Sequence, residues 1–282
     1  MTDPLHRIAD ALERLASRQA SPPETDLAQG GWFVWHDRAL ALVSPPRLTP
    51  LALYAGVDAQ KALFFENARR HANGRPAHDV LLWGARGMGK SSLVRTVHGA
   101  LLAGGADIAL VQLASPDIAD LSRLFERLAC CDRRFTVFLD DLTFDGDGSH
   151  VHALRSLLDG GVMARPDHVR LVVTSNRRNL VPRSRRAGAG DAKADADADA
   201  INPRDVIDDQ LALADRFGLR LGFHACDQVD YLTMCANYAD AHGFAFDPAA
   251  ALAWAMGRGA RSGRVAWQFT VETAGAAGVV LR

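Results

Sequence analysis

The chain has no apolar run approaching the roughly 20 residues needed to cross a bilayer, which argues against a membrane partner. Its first residues, Met1-Thr2-Asp3-Pro4, lack a basic start followed by an apolar block, so no secretion signal is read there. Cysteine is sparse: Cys130, Cys131, Cys226 and Cys235. None forms a C-x-x-C pair, and the adjacent Cys130-Cys131 is a poor disulfide candidate. All four read as reduced thiols of a cytoplasmic protein. Charge imbalance is missing too. A net charge of −1 gives no whole-chain reason to expect nucleic acid or an anionic membrane. No internal repeat occurs, and no N-K-x-D motif follows a strand, which argues against a GTPase. Two partial metal patterns fail. Asp145-Gly146-Asp147-Gly148-Ser149 begins like a calcium loop, but His150 stands where position six needs Gly and Ser156 where position twelve needs Glu. His150 and His152 lack a convincing third ligand and read as solvent-facing.

What is present suits a soluble globular protein: 282 residues, 48% hydrophobic and 23% charged, are enough for a sizeable core. Leu5, Ile8, Leu12 and Leu15 recur at helical spacing and stop before Pro22-Pro23. Trp32 to Val43 is apolar and aromatic with no clear period. Pro45-Pro46 and Pro50 mark a linker, and Leu51 to Arg70 reads as helix. From Asp79 short apolar runs alternate with helical stretches. Strands are expected at 80–83, 108–113, 135–139, 169–174 and 219–223, with helices at 90–102, 118–129 and 151–158. Continuous apolar strands separated by helices imply a parallel sheet covered on both faces. Residues 183–205, with the Ala-Asp alternation of Asp195, Asp197 and Asp199, are too polar to pack and read as an insertion. Three helices close the chain, over 227–242, 248–256 and 263–274. The expected organisation is an N-terminal helical extension (1–50), an α/β domain with a five-stranded parallel sheet (51–225) and a helical lid (226–282).

The chemistry concentrates in Gly84-Ala85-Arg86-Gly87-Met88-Gly89-Lys90-Ser91, the pattern G-x-x-x-x-G-K-S, followed by Ser92. It follows an apolar strand and opens a helix. Backbone N–H groups of such a loop cradle phosphate oxygens, and the helix N-terminus adds partial positive charge. Lys90 would reach the outer phosphates of a nucleotide, and the Ser91 hydroxyl would ligate Mg²⁺. A metal-site carboxylate is expected at the end of another strand. Phe135 to Leu139 followed by Asp140-Asp141 fits: Asp140 would hold the metal, directly or through water, and Asp141 would orient or deprotonate an attacking water. Asn176 follows the fourth strand. It lies beside the γ-phosphate if that strand sits between the first and the third. Arg216 precedes the fifth strand, and Arg264 opens the last helix.

This order of phosphate loop, acidic strand end, strand-end Asn, Arg-Phe before the last strand and helix-opening Arg resembles AAA+ P-loop ATPases. The resemblance implies Walker A at 84–91, Walker B at Asp140-Asp141, sensor 1 at Asn176, an arginine finger at Arg216 and sensor 2 at Arg264. It also implies ATP and Mg²⁺ as cofactors, and a homo-oligomer in which Arg216 acts in trans on the neighbouring subunit's nucleotide. The stretches V-L-L-W-G-A-R-G-M-G-K-S-S-L-V, F-L-D-D-L, T-S-N-R-R-N-L-V-P, D-R-F-G-L and R-S-G-R-V-A-W-Q-F together resemble the bacterial domain-of-unknown-function 815 family of ATP-binding proteins, over roughly 51–269. That family name carries no cellular task, so the client is an unknown protein or nucleic acid. One departure stands out: most active AAA+ enzymes carry Glu after the Walker B Asp, where this chain has Asp141. Slow turnover is the consequence expected from a carboxylate set back by about one methylene. A nucleotide-gated binding module is therefore one rival reading and a P-loop small-molecule kinase another. The basic run Arg177, Arg178, Arg183, Arg185 and Arg186 could face a neighbouring subunit, nucleic acid or an acidic partner, or be a solvated loop.

Overall fold

The structure is a computed structural model; it describes residues 25–142, 154–155, 158, 165–176 and 212–281. Seven strands form one sheet: β1 (Trp32–His36), β2 (Ala39–Leu42), β3 (Val80–Gly84), β4 (Ile108–Leu113), β5 (Arg134–Leu139), β6 (Val169–Ser175) and β7 (Leu219–Phe223). Their spatial order is β2-β1-β4-β5-β6-β3-β7. Only β1 and β2 pair antiparallel; the other neighbours run parallel.

The alternation of side chains along each strand divides the core into two layers. On β3, Leu81 and Trp83 face one layer, with Phe135, Val137, Leu139, Leu171 and Val173. Val80 and Leu82 face the other, with Phe138, Val172, Leu221 and Phe223. Because both faces are covered, the strands read as unbroken apolar runs. On the second face lie α1 (Asp58–Ala72), α2 (Lys90–Ala103) and the three C-terminal helices, α4 (Gln228–His242), α5 (Pro248–Gly257) and α6 (Gly263–Ala276). The first face is covered by α3 (Leu121–Ala129), whose Leu121, Leu124, Phe125 and Leu128 form a buried stripe. Asp227, Asp247 and Ser262 cap α4, α5 and α6 through their side-chain oxygens, which is why those helices start where the sequence places them.

Two expectations change. Among the described residues the sheet has seven strands, not five, because Trp32 to Val43 supplies a hairpin. Trp32 is buried in one layer and Phe33 and Trp35 in the other, so β1 shows no apolar–polar period. Its turn, Asp37-Arg38, has φ values of 49° and 62°, but lacks the Asn-Gly or Asp-Gly signal of a tight hairpin. The described part of the N-terminal extension is thus a strand hairpin and irregular chain, not helix; the helix expected over 5–15 lies outside the described residues. The helix expected from Leu51 to Arg70 is interrupted: a 3-10 turn at Leu51–Leu53 is separated from α1 by extended Tyr54 and by Gly56, at φ 72°. The insertion at 183–205, the basic run from Arg177 to Arg186 and most of the helix expected at 151–158 also lie outside the described residues. No helix among the described residues is long and apolar enough to cross a membrane.

Candidate active site

The C-terminal edge of the parallel sheet carries the site. β3 ends at Gly84, the chain loops through 85–89, and α2 starts at Lys90 with Gly89 at its N-cap. Gly84 has φ 119°, and a Cβ there would lie 2.2 Å from the Phe223 carbonyl oxygen of β7. Only glycine lets the two strands stay paired at this point. The next amide is used in the same join: Ala85 N donates to Phe223 O at 2.6 Å. Gly87, at φ 77°, is where the start of α6 comes close; a Cβ there would meet Ser262 Oγ at 2.9 Å. Arg264 N donates to Gly87 O at 3.0 Å, so the first turn of α6 is tied to the phosphate loop.

Lys90 is 5% exposed. Its Nζ donates to Gly84 O (3.0 Å), Ala85 O (2.9 Å) and Asn176 Oδ1 (2.9 Å). Burial pushes its ammonium down to about 8, and Asp141 and Asp140 partly offset that. Ser91 Oγ donates to Asp140 Oδ1. Thr174 Oγ1 donates to the same oxygen at 2.8 Å, and Arg95 Nη2 donates to Oδ2 at 2.8 Å. Asn176 Nδ2 donates to Asp141 Oδ1. β6 lies between β3 and β5, so Asn176 meets both the lysine and the carboxylate.

Apart from Thr174, these side chains line one cleft of about 930 Å³, within the range of small-molecule sites. Its floor is 86–92 with Asp140, Asp141 and Asn176. Its roof is the 47–57 strap with Met234, Tyr238 and His242 of α4 and Arg264 and Trp267 of α6. Tyr54 OH lies 2.7 Å from Ser92 Oγ and 3.2 Å from Thr96 Oγ1, so the Ser92 hydroxyl is engaged by the strap. Met88 turns inward and is buried.

The donor set fits a metal-bound nucleoside triphosphate. A buried cation whose hydrogen-bond acceptors are all neutral calls for an anion. Arg47, Arg86, Arg95 and Arg264 share the cleft with it against two carboxylates, Asp140 and Asp141. Ser91 and Asp140 present a hydroxyl and a carboxylate side by side, hard oxygens of the kind Mg²⁺ takes alongside phosphate and water. No group of three or more His, Cys, Asp or Glu side chains that could hold a metal occurs among the described residues.

The structure thus brings Lys90, Ser91, Asp140, Asp141, Asn176 and Arg264 together. It does not bring Arg216 to them. Leu219 registers with Val80 and Phe223 with Gly84, so Arg216 precedes the opposite edge of the sheet, about 16 Å of strand away. There its Nη1 donates to Ala212 O. Sequence reasoning missed Arg95 and the role of Thr174. Arg95 was findable, since it lies four residues after Ser91 on the same face of α2.

Residues 29–277 match the family described as "Protein of unknown function (DUF815)". No curated protein matches the chain. Among solved structures, the Thermotoga maritima RuvB Holliday junction branch migration motor is 16% identical with a TM-score of 0.50; the alignment covers 83% of this chain and 67% of that one. The Aeropyrum pernix ORC1 protein, solved in complex with DNA, is 16% identical with a TM-score of 0.55, over 81% of this chain and 63% of that one. Both are AAA+ P-loop ATPases, and at such identity the likeness is one of fold. The chain therefore belongs to the family described as "Protein of unknown function (DUF815)", on the α/β P-loop fold that it shares with those ATPases.

Proposed function

We propose that this protein binds ATP with Mg²⁺ in the cleft between sheet and lid and hydrolyses it on assembly, driving a conformational change in a partner. The observation that carries the proposal is the buried Lys90 beside Ser91–Asp140 and Asn176–Asp141. Bound ATP supplies the phosphoanhydride that breaks, with Mg²⁺ drawing charge from its outer phosphates. Lys90 and Arg86 hold phosphate oxygens, and Ser91 and Asp140 hold the metal. Asp141 accepts the proton of the attacking water, and Asn176 keeps that carboxylate beside the lysine. Arg264 ties nucleotide occupancy to the lid, because its own amide is bonded to the phosphate loop. The working division is an α/β ATPase domain (51–225) extended by the β1–β2 hairpin, with 226–282 as lid, in a cytoplasmic protein.

Arg216 acts in trans in this reading. It precedes the sheet edge opposite its own cleft and can serve only a neighbour's nucleotide, in a homo-oligomer. An arginine so placed is worth on the order of 10³ or more in rate. The client class we favour is DNA, since one structural neighbour is a Holliday junction branch migration motor and the other was solved in complex with DNA. Asn176, Arg216 and Arg264 in AAA+ order disfavour the small-molecule kinase. A second reading, a nucleotide-gated binder with little turnover, is favoured by Asp141 in place of Glu.

Fluorescent-nucleotide titration and phosphate release test the proposal. Lys90→Ala should abolish binding in a folded protein, and Asp141→Asn should bind ATP·Mg²⁺ but not hydrolyse it. Unchanged affinity in Lys90→Ala refutes the nucleotide site, and native turnover in Asp141→Asn refutes the role given to that carboxylate. Wild-type binding without phosphate release, across assembling concentrations, selects the second reading.

A further inference from the structure

We infer that the Asp141 carboxylate is aimed by its backbone and not by side-chain length, and that Thr174 is the positioning residue that holds that backbone. The inference rests on the hydrolytic reading above for its catalytic meaning.

Among the described residues, three non-glycines have positive φ: Asp37, Arg38 and Asp141. The first two form the β1–β2 turn. Asp141, at φ 55°, belongs to no hairpin; it is the residue that turns the chain out of β5 after Asp140. Left-handed backbone is open to Asp and Asn far more readily than to longer side chains, because the short polar group bonds locally.

Something must hold a non-glycine there, and Thr174 does so from the neighbouring strand. It is 1% exposed on β6. Its Oγ1 accepts from Asp141 N at 2.8 Å and donates to Asp140 Oδ1 at 2.8 Å. Its carbonyl accepts from Leu142 N, also at 2.8 Å. One buried threonine therefore binds three consecutive residues, 140 to 142. The metal-site carboxylate and the turn that presents the base are set by the same hydroxyl.

The turned backbone brings the Asp141 carboxylate into hydrogen-bond contact with Asn176, which itself accepts from Lys90. A longer side chain has no gap to close. Glu at 141 would push an added methylene against an amide already in contact, from a backbone that Glu tolerates poorly. Asp141 is thus the acid this turn selects, and not a shortened version of the usual Glu.

The test uses the full chain without nucleotide for melting, then nucleotide affinity and single-turnover hydrolysis. Asp141→Gly should melt above Asp141→Ala, because both lack the carboxylate and only glycine is at ease at φ 55°. Asp141→Glu should melt below wild type and hydrolyse at least tenfold more slowly. At saturating Mg²⁺, Thr174→Val should lose at least tenfold in kcat with the ATP dissociation constant within twofold of wild type, and Thr174→Ser should recover most of that loss. An Asp141→Glu protein as stable as wild type and faster overturns the inference, as does an Ala variant that melts above Gly. A Thr174→Ser protein no better than Thr174→Val removes the hydroxyl's role. Should Thr174→Val not fold, the Asp141 series decides alone. Should wild type neither bind nor hydrolyse ATP, the proposed function falls, while the melting order still judges the backbone claim.

Discussion

Acid should loosen this protein through two histidines that sit away from the candidate site. His71 and His98 are buried, at 3% and 4% exposure. His71 Nε2 lies 2.9 Å from Phe135 O, joining α1 to β5. His98 Nε2 lies 2.9 Å from Gly31 O, joining the phosphate-loop helix α2 to the entry of the β1–β2 hairpin. Its ring also packs edge-on against Trp32, centroids 4.7 Å apart. Burial holds both imidazoles neutral, each down to about 4 from 6.5, with the carbonyl bonds partly offsetting that push. The folded state binds fewer protons than the unfolded chain between pH 6.5 and pH 4, so stability is intact above that window and falls through it. At pH 5 each histidine costs about 2 kcal/mol, or about 4 kcal/mol for the pair. That is a large part of the roughly 5–15 kcal/mol available to a domain. Urea denaturation of the nucleotide-free protein at pH 7 and pH 5 measures the loss. His98→Gln keeps an amide donor for Gly31 O but cannot ionise, so it should remove about half of the pH dependence. His71→Gln should do the same toward Phe135 O. If neither variant flattens the curve between pH 7 and pH 5, the acid sensitivity does not come from these side chains.

Gly84→Ala should destabilise by more than about 3 kcal/mol, read by thermal melting, because a Cβ cannot share 2.2 Å with the Phe223 carbonyl and φ 119° is closed to alanine; a normally stable variant would show that the β3–β7 join can shift. Asp140→Asn should raise the Mg²⁺ concentration needed for nucleotide binding at least tenfold. Its stability should fall by at most about 1 kcal/mol, since the Arg95 ion pair at 2.8 Å is partly exposed; unchanged Mg²⁺ dependence would remove Asp140 from the metal site. Arg216→Ala should bind ATP normally and hydrolyse poorly, and mixing it with Lys90→Ala should restore part of the activity. Full turnover by a protein that stays monomeric at high concentration would dismiss the trans role.

The residues of the candidate site were legible in the sequence because the patterns that mark them are local. A glycine-rich loop between an apolar strand and a helix has one dominant use, and Asp140, Asn176 and Arg264 stand at ends of elements whose boundaries apolar runs and capping residues mark. The parallel strands were legible for a related reason: burial on both faces leaves unbroken apolar runs, as in Phe135 to Leu139. The same burial hid β1, since a single aromatic run with no period and no turn signal cannot announce an edge hairpin. What pairs with what was decided only in three dimensions. The placement of β6 between β3 and β5 is what lets Asn176 touch both Lys90 and Asp141. Register put Arg216 beyond the far edge of the sheet from its own cleft. The left-handed turn at Asp141 and its bond to Thr174, 33 residues away in sequence, likewise depend on strand adjacency. Residue types set the chemistry that is available, whereas contacts across such separations arise only once the sheet has chosen its order and register.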